Sequence, residues 1–76
     1  MEELLEILQE LHPEVDFETA DNLVDGKIID SFDIVSIIAE IGDRFDVVVS
    51  AEYIIPENFN SAKAMYEMIQ KIEDEE

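Results

Sequence analysis

The chain has 76 residues, 47% of them hydrophobic, with 21 acidic against 4 basic side chains and a net charge of -17. That length supports one small domain, 1–76, with one core, and the apolar content is too high for a disordered acidic tail. The cations Lys27, Arg44, Lys63 and Lys71 are widely spaced, so nucleic acid and anionic membrane are poor partners and a basic protein surface is a good one.

There is no cysteine, hence no disulfide framework, thiolate metal site or cysteine nucleophile. No apolar run is long enough to span a bilayer, and the start lacks the basic-then-apolar order of a signal peptide. The expectation is a cytoplasmic protein without membrane insertion.

Residues Glu3 to Leu11 read as a helix, with Leu4, Ile7, Leu8 and Leu11 on one side and Glu3, Glu6, Gln9 and Glu10 on the other. Pro13 stops the pattern. His12 is the only histidine, and without a second histidine or a cysteine it reads as a helix-end or surface residue.

Glu14 to Asp30 carries no sustained period, and a loop of this length in a compact domain usually carries function. Phe17, Leu23 and Ile28 are expected to pin it to the core, and Asp25-Gly26 to form a turn in which Gly26 is free to take a positive φ. Counting Gly26 as the sixth position of a calcium loop leaves Leu23 and Phe32 where oxygen ligands are required, so a tight calcium site is not expected, nor any other metal site.

Phe32 to Phe45 is the strongest helical pattern. Ile34, Ile37, Ile38, Ile41 and Phe45 form a stripe for the core, opposite Asp33, Ser36, Glu40, Asp43 and Arg44. A further set, Phe32, Val35, Ala39 and Gly42, lies on a flank. It is either a wide buried face or a partly exposed strip for a protein partner, with Val35 and Ala39 the residues expected outside. Ser31 stands at the start of this helix between Asp30 and Asp33, where it can be a cap or an exposed nucleophile.

Asp46-Val47-Val48-Val49 is β-branched but has no second strand, so it reads as a loop with Val47 or Val49 turned inward. Ser50 is expected to cap a short helix, Ala51 to Ile55, held by Tyr53 or Ile54 and ended by Pro56. Phe59 anchors the next turn. Ser61 or Asn60 then caps a last helix from Ala62 to Glu73, with Met65, Met68, Ile69 and Ile72 inward. The closing Glu73-Asp74-Glu75-Glu76 is expected to fray, since the C-terminal end of a helix dipole favours cations.

No set of groups converges for catalysis. Ser31 has no histidine close in sequence to activate it, and Lys27 lies across the turn without an evident role, so no catalytic residue is assigned and the protein is expected not to be an enzyme. The residues alone support an acidic, helical, partner-binding domain with one conspicuous serine.

Asp30-Ser31-Phe32-Asp33, preceded by Leu23-Val24-Asp25-Gly26-Lys27-Ile28-Ile29, resembles the attachment motif of the acyl carrier protein family. Phe45-Asp46-Val47-Val48-Val49 and Ile55-Pro56-Glu57-Asn58-Phe59-Asn60-Ser61 are similar to that family too, so the likeness covers nearly the whole chain. It implies an all-α fold: a right-handed four-helix bundle with a short third helix and a long loop between the first two helices. It also implies that Ser31 is esterified by 4'-phosphopantetheine from coenzyme A, whose thiol holds acyl or aminoacyl groups as thioesters.

By the same resemblance, Asp30 helps position the phosphopantetheinyl transferase and its metal-bound nucleotide. Phe32, Asp33, Val35, Ala39, Glu40 and Asp43 face partner enzymes. These partners are an adenylating ligase and an acyltransferase or synthase with a basic docking patch, in fatty acid or secondary metabolite biosynthesis, acting on a monomeric carrier. Ser36, Gly42 and Arg44 stand where fatty-acid carriers often have glutamates, and Phe32 replaces a more usual leucine. The pattern is more similar to D-alanyl and small stand-alone carriers, which implies an amino acid or short polar acyl cargo. The rival reading is an unmodified acidic adaptor, or a mimic occupying a basic surface, in which Ser31 is only a cap.

Overall fold

The computed structural model describes residues 2–75. It is an all-helical four-helix bundle: α1 Glu2–Leu11, α2 Ser31–Phe45, a short α3 Pro56–Phe59 and α4 Ala62–Glu75, with a 3-10 turn at Ala51–Tyr53. Among the described residues no helix is long and apolar enough to cross a membrane.

The periodic stripes become the core. Leu4 and Leu8 of α1 join Ile37 and Ile41 of α2 and Met65, Met68, Ile69 and Ile72 of α4 in one buried cluster, and Ile7 is buried too. Ile34, Ile38 and Phe45 are half-buried at its edge. Burying such side chains stabilises the fold by about 1.5–3 kcal/mol each before ordering costs. His12 lies against Asp33 at the start of α2, whereas Arg44 near its end reaches back to Glu10 and Glu6. The first two helices therefore run antiparallel.

The long loop is a chain of turns pinned by Phe17, Leu23 and Ile29, all buried. Ile28, expected inside, is half-buried, and Ile29 takes the inner place. The cause lies just upstream. The N–H of Ile28 donates to Leu23 O (2.9 Å) and that of Lys27 to Val24 O (3.0 Å), the pair of bonds that ends a helical turn through a left-handed residue. That residue is Lys27, at φ 59, and not Gly26, which has no positive φ. Glycine is needed at 26 for space: a Cβ there would sit 2.7 Å from the backbone oxygen of Asn22.

After Phe45 the chain leaves α2 through Asp46, left-handed at φ 55. It then runs extended, so that Val47 and Val49 are both buried and Val48 points out. Gly42 lets this return segment lie close, since its Cβ would be 3.3 Å from Val47 O.

The short third helix differs from expectation in its residues. Pro56 starts it and does not end it, because proline at the first helical position loses no needed N–H and already has helical φ. The preceding Ile55 is extended, as a residue before proline prefers (φ -128, ψ 152). Ala51–Tyr53 is a separate 3-10 turn, and Ser50 makes no capping bond to it. Tyr53 packs on the core while Ile54 is largely outside. Ser61 caps α4 by accepting the Ala64 N–H at 3.0 Å. That helix continues to Glu75, whose carboxylate accepts the Tyr53 hydroxyl and pushes the phenol up to about 12. Glu76 lies outside the described residues.

Candidate functional site at the start of α2

Asp30 precedes α2 in extended conformation, and its Oδ1 accepts the Asp33 N–H at 3.0 Å. Asp33 Oδ2 in return accepts the Asp30 N–H at 3.1 Å. The two aspartates form a reciprocal capping box, with the shorter aspartate in the place usually held by glutamate. The cap is thus Asp30, and Ser31, expected as a possible cap, is the first helical residue. A carboxylate outcompetes a hydroxyl here because it accepts strongly and adds favourable charge at the positive end of the helix dipole.

Ser31 is exposed. Beside it Phe32 is 81% exposed and Val35 65% exposed, and Ala39 continues the same strip in solvent. Of the two alternatives for this flank, the exposed strip is the one observed. Gly42 closes it, half-buried under the return segment.

The acidic border is less free than the sequence suggests. Asp43 is exposed, but Glu40 lies 3.6 Å from the Arg44 guanidinium, which also reaches Glu10 (3.5 Å) and Glu6 (3.8 Å). Asp33 is half-buried and engaged twice, by the Asp30 amide and by His12 Nε2 at 2.8 Å. His12 was placed by sequence at a helix end or surface, and it is indeed at the end of α1. Its pairing with Asp33 had no local signal, because 21 positions separate the two residues and α1 must fold back for them to meet.

Burial opposes ionisation of Asp33, yet the contacts with His12 and with Asp30 outweigh it and hold the carboxyl below its ordinary value. The contact to His12 is close but off the N–H axis, so it is an ion pair more than an aligned hydrogen bond.

Two shallow depressions lie elsewhere. One of about 200 Å³ is lined by Tyr53, Asn58, Ala64, Glu67, Met68 and Lys71; one of about 210 Å³ lies over Leu5, Phe17 and Ala62. Neither is lined by a residue of α2. Among the described residues no group of three histidine or acidic side chains is placed to hold a metal.

Comparison of the chain with family models, with curated proteins and with solved structures gave no match.

Proposed function

We propose that the protein is a non-catalytic carrier of the acyl carrier type, with 4'-phosphopantetheine esterified to the Ser31 hydroxyl and acyl or aminoacyl groups held on its thiol. The observation that carries this reading is the division of labour in the first turn of α2. Asp30 does the capping, which leaves the exposed Ser31 hydroxyl without that structural duty, and Phe32 and Val35 stand out of the fold beside it.

The residues present fit such a group. Ser31 is reachable by a transferase, and the N–H groups of Ser31 and Phe32 precede the intrahelical ladder at an end that favours an anion. When bound, the arm supplies the thiol that this cysteine-free chain lacks. Asp30 fixes the direction of the first turn and hence of the serine. Phe32, Val35 and Ala39 offer an apolar contact that excludes water, and Asp43, with the outer parts of Asp33 and Glu40, supplies the charge that attracts a basic enzyme face. The core is rich in β-branched side chains, which supports a short or polar cargo, such as an amino acid, loaded by an adenylating ligase.

The test is incubation with coenzyme A and a broad-specificity phosphopantetheinyl transferase, read by intact-protein mass spectrometry. The expected product is heavier by one phosphopantetheinyl group and has one free thiol, while Ser31→Ala stays folded and unmodified. A folded protein that several transferases leave unchanged would favour the unmodified acidic adaptor instead.

A further inference from the structure

His12 itself has no part in the carrier reading, although it touches Asp33, which does. Its Nε2 is 2.8 Å from Asp33 Oδ2, and its Nδ1 is 3.2 Å from Glu14 Oε1. The same Asp33 oxygen accepts the Asp30 N–H and so closes the capping box of α2. One carboxylate oxygen thereby joins the end of α1 to the first turn of α2, across the whole intervening loop.

From this geometry we propose that His12 is a proton-operated latch: its imidazolium clamps Asp33 and steadies the first turn of α2, and its neutral form releases that turn. The off-axis approach is the reason that the proton matters. A well-aligned N–H bond would persist in the neutral ring, whereas an off-axis contact is held by charge and disappears with it.

The charged groups acting on His12 are Asp33 from α2 and Glu14 from the loop. Asp33, and after it Glu14, raise the imidazole above its ordinary 6.5, against a smaller opposing effect of burial. Glu14 is held below its ordinary value by its own backbone N–H and then by His12. A raised folded-state value means that the latch is at full strength below 6.5 and is lost as pH rises through the higher folded value. The two carboxylates, being lowered, contribute above their ordinary values and lose their part only as pH falls through the lowered ones. The latch is therefore closed in mildly acidic solution and opens on the alkaline side.

Because His12 is the only histidine, its imidazole resonances are unambiguous in an NMR titration of the intact chain. The expected result is a midpoint above 6.5, with the Asp30 and Asp33 amide resonances shifting at the same midpoint. The Asp30 amide should lose hydrogen-exchange protection above it. Asp33→Asn should lower the midpoint more than Glu14→Gln, and His12→Gln should abolish the pH-dependent amide shifts. A wild-type midpoint at or below 6.5, or amides at 30 and 33 that ignore the titration, would overturn the proposal even if the Asp33 variant fails to fold.

Discussion

Asn60 Oδ1 accepts the backbone N–H of Val24 at 3.0 Å, although 36 positions separate the two residues. The same oxygen accepts the Asp25 N–H at 3.0 Å, and Asn60 Nδ2 donates to Asp25 Oδ2 at 3.1 Å. Asn60 O also takes the Leu23 N–H, so one residue before α4 holds the turn that leads to Ser31.

Asn60→Ala should consequently destabilise the protein by about 1–3 kcal/mol, because a half-buried Val24 N–H loses its acceptor. In a domain of this size each kcal/mol corresponds to roughly 4–8 °C in the thermal midpoint, so a melt followed by circular dichroism suffices. An unchanged midpoint would mean that the loop is held by Phe17, Leu23 and Ile29 alone.

Lys27 carries the left-handed turn while the adjacent Gly26 does not. Lys27→Gly should stabilise by up to about 1 kcal/mol, the cost of placing a Cβ in that conformation, less the entropy that glycine adds to the unfolded chain. Gly26→Ala should do the opposite, by about 1–3 kcal/mol, since its Cβ would press on the Asn22 backbone oxygen at 2.7 Å. Urea denaturation of the two variants reads both signs.

The capping box separates two neighbours that sequence alone confuses. Asp30→Ala should cost about 0.5–2 kcal/mol through the lost cap. Ser31→Ala should change stability by less than about 0.5 kcal/mol, as an exposed residue without a capping bond. If Ser31→Ala were the more damaging of the two in denaturant titrations, the serine would have a structural role that the geometry does not give it.

For the proposed docking strip, Val35→Asp should leave the melting curve within about 0.5 kcal/mol of wild type, because Val35 is mostly in solvent. Partner association, measured by calorimetry or surface-based binding, should fall sharply. Asp43→Lys is the clean charge reversal. Glu40→Lys also breaks the Arg44 cluster, so it should cost some stability at low salt and less as salt is added.

The three long helices were legible because their information is local. Leu4, Ile7 and Leu8, then Ile37 and Ile41, then Met65, Met68, Ile69 and Ile72, repeat at helical spacing whatever the rest of the chain does, and all end up inside. The net charge of -17 is likewise a property of composition. The tertiary structure decided what depends on groups far apart or on competition between neighbours. Whether Phe32, Val35 and Ala39 were inside or outside depended on what packed against that side of α2. Which of Asp30 and Ser31 capped the helix was decided by the reciprocal bonds between Asp30 and Asp33, and the left-handed turn at Lys27 put Ile29 inside in place of Ile28. His12 with Asp33, Arg44 with Glu6 and Glu10, and Asn60 with Val24 and Asp25 exist only after the helices have packed, because each joins segments that no local period relates.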